Sequence, residues 1–186
     1  MPQPPRPGEL LVARAGELDG YFARSVVLLL DHDAGGTLGV CLDRLSDYSL
    51  GDVLPAWEDL VSPPGRLFEG GPVSKDGAIC VARLANPSED PPGFRRVFGD
   101  IGLLHLDTPT ELVRGGYTDL RIFAGYAGWS PGQLEHELVA GAWHRVESHD
   151  EDIFGARPDQ LWRRVLRRQG GELALYSTWS RTPELN

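Results

Sequence analysis

The densest run of chemistry-bearing residues is Gly125-Tyr-Ala-Gly-Trp-Ser-Pro-Gly-Gln-Leu-Glu135. A strand over Leu120–Ala124 leads into a glycine-containing turn and then a helix. That helix opens with Ser130 as cap, Pro131 at its first position and Gln133 completing a capping box. Such an order aims unpaired amides and the positive end of a helix dipole at one spot, which favours an anion. Gly125 and Gly128 permit close backbone approach there. The plainer alternative is a tight strand-to-helix turn with Trp129 packed beneath it. Gly70-Gly71-Pro72-Val73 offers a second backbone-rich turn. If the two turns lie side by side they form a cleft lined by amides and Trp129. Its candidate binding residues are Gly70, Gly71, Gly125, Gly128, Trp129, Ser130 and Gln133. The run is neither a Walker motif nor a GxSxG elbow.

Signals for catalysis are weaker. His136-Glu137 begins like a zincin helix, but Ala140 stands where the second histidine ligand belongs. His144, His149, Asp150 and Asp152 lie close in sequence without a recognised ligand spacing, and Asp31-His32-Asp33 suits a hairpin turn. Ser25, Ser130, Cys41 and Cys80 are the possible nucleophiles, and no Ser/His/Asp arrangement is legible among them. An enzyme acting on an anionic or phosphorylated small molecule would need a carboxylate, or His32 or His136, within hydrogen-bond reach of the cleft. No catalytic residue, metal or cofactor is assigned.

The elements that position these residues alternate short strands with short helices, the pattern of an α/β or α+β domain. Ser25–Leu30 is continuously apolar and reads as a strand buried on both faces. Asp31–Gly36 turns the chain, and Thr37–Leu42 returns as the second strand of a hairpin. Ser49 caps a short helix that Pro55 stops. Strands follow at Arg66–Glu69, at Ala78–Leu84 after a Lys75-Asp76-Gly77 turn, at Phe94–Phe98 and at Ile101–Leu106. A helix from Thr108-Pro109 ends at Gly115-Gly116. Ala142–Val146 forms a further strand, a last helix covers Pro158–Arg168, and Leu173–Trp179 adds a final strand. Residues 1–7 form a flexible proline-rich lead-in, and residues 8–186 one domain. On the last helix Leu161, Trp162, Val165 and Leu166 share one side, opposite Arg163, Arg164, Arg167 and Arg168.

Composition excludes whole classes of function. The 186 residues suit one domain, and 18 basic against 27 acidic residues give a net charge of −9. That balance opposes nonspecific binding to phosphate backbones, so direct DNA binding through the arginine face is disfavoured. Two cysteines within apolar runs, without CxxC spacing, read as separate reduced thiols. The longest apolar run, Val26–Leu30, is far too short for a membrane span, and the start MPQPPRPG lacks the apolar stretch of a signal peptide. A cytoplasmic protein, monomer or homodimer, is expected.

These landmarks resemble the YqgE/AlgH family of bacterial proteins from Gly8 to the last helix. The resemblance rests on Gly8-Glu-Leu-Leu11, Phe22 with Ser25–Leu29, Gly36, Gly39 and Gly70–Val73. Above all it rests on Gly125–Glu135 with Glu137-Leu138, followed by Trp143, Phe154 and Leu161-Trp162. It implies an α/β, single-domain layered sandwich around a mixed, partly barrel-like β-sheet. The family carries the label of a transcriptional regulator, a name tied to alginate production, and the resemblance supplies no established biochemical activity or catalytic residue. No helix-turn-helix pair stands out here to support direct DNA binding. One departure is visible: relatives tend to carry Asn followed by Arg-Pro where this chain has Asp43-Arg44-Leu45, and a polar contact there would alter ligand preference. The expectation is a non-enzymatic regulatory or small-ligand-binding protein, its partner a small anionic ligand or another protein.

Overall fold

In a computed structural model of the chain, residues 2–178 are described, apart from Glu17 and Asp19. The strands are β1 (Glu9–Ala13), β2 (Val26–Asp33), β3 (Gly36–Cys41), β4 (Leu45–Ser49) and β5 (Arg66–Glu69). They continue with β6 (Val73–Leu84), β7 (Phe94–Phe98), β8 (Ile101–Leu104), β9 (Tyr117–Trp129) and β10 (Trp143–Glu147). All ten join one sheet in the order β10-β1-β2-β3-β9-β6-β8-β7, with β5 beside β9 and β4 outside β5. The pairing is antiparallel except where β5 runs parallel to β9. The sheet curls strongly into a half-barrel, the layered α/β architecture the resemblance implies. On it pack α1 (Leu50–Val53), α2 (Thr110–Val113), α3 (Gln133–Val139), α4 (Asp150–Phe154), α5 (Leu161–Gln169) and α6 (Gly171–Tyr176).

The unbroken apolar run of β2 is explained by its covering on both faces. Val26, Leu28 and Leu30 enter one core with the apolar side of α5, whereas Val27 and Leu29 enter a second core with Trp129, Leu134 and Trp143. Strand β1 alternates in the same way, Leu10 and Val12 into the first core and Leu11 and Ala13 into the second. Period-two geometry therefore feeds two cores from one pair of strands. A third core lies under α1 and holds Trp57, Leu67, Cys80, Leu120 and Ile122.

Several elements differ from expectation. Gly125–Trp129 is not a turn: β9 continues through it, because Thr37, Leu38 and Gly39 of β3 pair with Trp129, Gly128 and Ala127. Lys75–Gly77 belongs to β6, where a wide bulge separates the Val73–Tyr126 and Ala78–Ala124 pairs. Strands β1 and β4 are additional to those expected: β1 lies between β2 and β10, and β4, which shows little local signal, pairs with β5. The tail forms α6 instead of a strand, and Trp179 lies outside the described residues. A 3-10 turn over Pro158–Gln160 precedes α5, and the Ser49 side chain makes no cap bond.

Arg121, buried on β9, ties α4 to the sheet. Its guanidinium donates to the carbonyls of Ile153 (2.7 Å), Gly155 (3.0 Å), Phe154 (3.2 Å) and Pro63. It also lies 4.3 Å from the Phe68 ring centroid. A cation at the end of a helix complements the exposed carbonyls of its last turn. Burial pulls its pKa down to about 10, still well above neutrality. Replacing it with Met orphans these carbonyls, and a loss of about 3 kcal/mol in urea unfolding is expected. Arg121→Lys should recover only part of this, lacking the fork of donors. A loss below about 1 kcal/mol for Arg121→Met would contradict the assignment.

Candidate functional site

The two glycine turns do lie side by side. Gly70 N–H donates to the Ala124 carbonyl and Cys41 N–H to the Gly70 carbonyl, both at 2.8 Å. The space between the turns is filled by backbone. A β-carbon on Gly70 would fall on the Gly125 carbonyl oxygen, and one on Gly71 on the Tyr126 carbonyl group. Gly125 has φ +70, and its β-carbon would meet the Gly71 carbonyl oxygen at 2.5 Å. These three glycines form a junction at which β3, β5, β6 and β9 meet, and there the close approach of the chains requires glycine.

The other expected residues are placed differently. Gly128 and Ser130 border a hollow of about 520 Å³ together with Asp31, Asp33, Thr37 and Tyr126. Its two carboxylates oppose an anion. Helix α3 begins only at Gln133, after Gly132 in left-handed conformation, and has seven residues. Half of the expected capping box is made: Gln133 Oε1 accepts from Ser130 N–H at 3.0 Å. His32 stands behind Thr37 at the border of this hollow, its Nδ1 2.6 Å from Thr37 Oγ1 and its Nε2 3.2 Å from Glu135 Oε1. His136 is exposed on α3 and does not border the hollow.

Trp129 is only 6% exposed. Its indole N–H and that of Trp143 both donate to Glu137 Oε2 at 2.8 Å, while Gln133 Nε2 donates to Oε1 at 3.2 Å. Phe22 packs against both indoles, with ring centroids 6.3 and 5.8 Å away. One carboxylate thus satisfies two indole donors and pins α3 to the ends of β9 and β10. This is why the motif spaces Trp129 and Glu137 as it does.

The nucleophile candidates are held in structural roles. Ser25 is buried, and its hydroxyl accepts from Arg44 at 2.8 Å. Cys41 and Cys80 are free and lie in different cores, where burial pushes each thiol up to about 12. At neutral pH neither supplies a thiolate. Among the described residues no three His, Cys, Asp or Glu side chains are gathered as a metal site. The arginine face of α5 is partly turned inward. Arg168 forms two 2.8 Å bonds to Asp152, and Arg163 donates to the Ser177 carbonyl at 2.7 Å.

A groove that sequence reasoning missed lies one residue away from the glycine junction. Its volume is about 580 Å³. Glu69 and Ala124, which immediately precede Gly70 and Gly125, line its floor with Leu67 and Ala78. Leu67 and Glu69 share a face of β5 by strand alternation. One wall is β4 with Val53 and Leu54, and the other is the Lys75–Gly77 bulge of β6. Lys75 Nζ lies 3.3 Å from Glu69 Oε1 and 5.8 Å from the Tyr21 ring, over which Arg44 also lies at 4.0 Å. Burial, with Cys41 and Glu69 near by, raises the Tyr21 hydroxyl above its ordinary pKa. Leu45, Tyr48 and Val53 are 42%, 65% and 47% exposed, a concentration of uncovered apolar side chains. The usable clue was Asp43-Arg44-Leu45, the departure from the family pattern. Asp43 Oδ1 accepts from Val26 N–H at 3.2 Å, Arg44 stacks on Tyr21, and Leu45 lines the groove.

The junction and the hollow respond differently to a methyl group. Gly71→Ala forces backbone apart and should cost on the order of 3 kcal/mol in urea unfolding or prevent folding. Gly128→Ala, whose β-carbon meets only ordinary contacts from 3.4 Å outward, should stay within about 1 kcal/mol of the parent. Equal effects would refute the junction.

Comparison with known proteins agrees with this architecture. A family profile described as AlgH-like matches residues 10–174. The chain is 52% identical to a UPF0301 protein of Streptomyces coelicolor over 182 residues, covering 96% of this chain and 94% of that one. It is 41% identical to a UPF0301 protein of Mycobacterium tuberculosis, over 93% and 87% of the two chains. A crystal structure of a Corynebacterium diphtheriae protein superposes with a TM-score of 0.89 at 32% identity, over 95% and 94%. The solution structure of the AlgH protein from Pseudomonas aeruginosa shares the fold, with a TM-score of 0.71 at 24% identity over 98% and 100%. By sequence along nearly its whole length, and by fold, the chain belongs to the AlgH-like UPF0301 family, the YqgE/AlgH family its motifs resemble.

Proposed function

We propose that the protein is a non-enzymatic small-ligand-binding protein of regulatory use in the cytoplasm, and that its ligand occupies the groove between β4 and the β6 bulge. The observation that carries the reading is the groove itself. Its volume of about 580 Å³ lies within the range of roughly 300–1,000 Å³ common for small-molecule sites. It presents an apolar lining with a few polar groups, as such sites do. The enzymatic alternative has less support: both thiols are buried and protonated, Ser25 is bonded to Arg44, and the hollow that Thr37 borders beside His32 is flanked by the Asp31 and Asp33 carboxylates, which repel the anionic substrate that reading requires. The regulatory part rests on the family resemblance. The cytoplasmic part rests on the two unbridged thiols. No helix among the described residues is long and apolar enough to cross a membrane.

Native mass spectrometry of gently purified protein, against its denatured mass, tests the proposal. Ala78→Trp, which places an indole in the groove, is the control. The expected result is a mass excess on the parent that vanishes on denaturation and is missing from Ala78→Trp. An equal excess on the variant would place the ligand elsewhere. A bare parent mass, with no metabolite raising the melting temperature of the parent, would likewise contradict it.

A further inference from the structure

We infer that the groove takes an organic cation, an amine or guanidinium carried on an apolar body. This rests on the groove being the ligand site and names the class of ligand that fits it. The floor charges cancel, because Lys75 is bound to Glu69 at 3.3 Å and is also drawn over the Tyr21 ring. What remains is one exposed carboxylate on each wall, Asp47 on β4 and Asp76 in the β6 bulge. Neither forms an ion pair among the described residues. The site therefore presents net negative charge on both sides of an apolar trough, within a chain whose net charge is already −9. A cation entering between the walls is attracted from both sides. Its apolar body covers Leu45, Val53 and the ring of Tyr48, whose face also favours a cation. An anion meets the same two carboxylates as repulsion, and the only lysine of the chain is already paired. Charge complementarity thus selects a small amphipathic cation over the anionic ligand expected from the sequence.

Three probes with one indole body and different charge separate the terms: tryptamine, neutral tryptophol and indole-3-propionate. Each is titrated into ¹⁵N-labelled protein, and amide shifts at Tyr48, Val53, Asp76 and Ala78 are followed. Tryptamine is expected to bind about three- to tenfold more tightly than tryptophol, with indole-3-propionate weakest. The Asp47→Asn/Asp76→Asn double variant, altered only at exposed positions, should bring the three affinities together. Raising the salt concentration should do the same in the parent. Equal binding of all three at the groove amides would overturn the cation while leaving the groove as the site. Tightest binding by indole-3-propionate would overturn it in favour of Lys75. If no probe moves these amides up to its solubility limit, the groove reading falls and the cation with it.

Discussion

Four strands converge where the chain leaves no room for a β-carbon. Gly70 and Gly71, leaving β5, press against the Gly125–Ala127 backbone of β9, and the Cys41 amide at the end of β3 bonds to the Gly70 carbonyl. This contact lets one strand serve three partners. Over Tyr117–Ala124, and again at Tyr126 across the bulge, β9 pairs with β6; at Phe123-Ala124 it also meets β5 in parallel, and at Ala127–Trp129 it pairs with β3. The left-handed Gly125 makes that change of partner possible. The curl of the sheet and the meeting of its two halves both depend on it.

Once β9 is committed in this way, the rest of its motif has a mechanical reason. Trp129 at its end and Trp143 at the start of β10 bring two indole donors together, and Glu137 of α3 accepts from both. A short helix with little stability of its own is thereby anchored over the second core. The glycines and aromatics that resemble a binding loop are consumed by backbone contact and by this carboxylate clamp. The groove arises as a by-product next door. Gly70 and Gly125 sit in the closed junction, so Glu69 and Ala124 must face the open side, and the four residues of the β6 bulge rise beside them as a wall.

How much of this was legible follows from the range of the interactions concerned. The β2–β3 hairpin and the apolar side of α5 could be read because their signals are local: an apolar run, a turn, a helical period. The glycine turns adjoin, the condition for a cleft between them, but the Gly70 amide bonds to the Ala124 carbonyl of β9 and Ala127–Trp129 pair with β3. The extended state of Ala127–Trp129 is imposed by β3, more than eighty residues away in the chain, and local turn chemistry does not report it. Strand β4 is a still weaker case. Leu45-Ser-Asp-Tyr-Ser49 has no periodic apolar face, since its apolar residues point into an open groove. The pairing of Trp129 and Trp143 with Glu137 could not be read from spacing alone, because the second indole comes from a different strand.

Native-state hydrogen exchange on the unliganded protein tests the central claim, a closed backbone junction beside an open groove. The amides of Gly70 and Cys41 should exchange only through global unfolding, with opening free energies equal to the stability found in urea. The amides of the Ser74–Gly77 wall should exchange far faster. Fast, locally opened exchange at Gly70 and Cys41 would contradict the account, because those glycines would then belong to a mobile binding loop and not to the junction that organises the sheet.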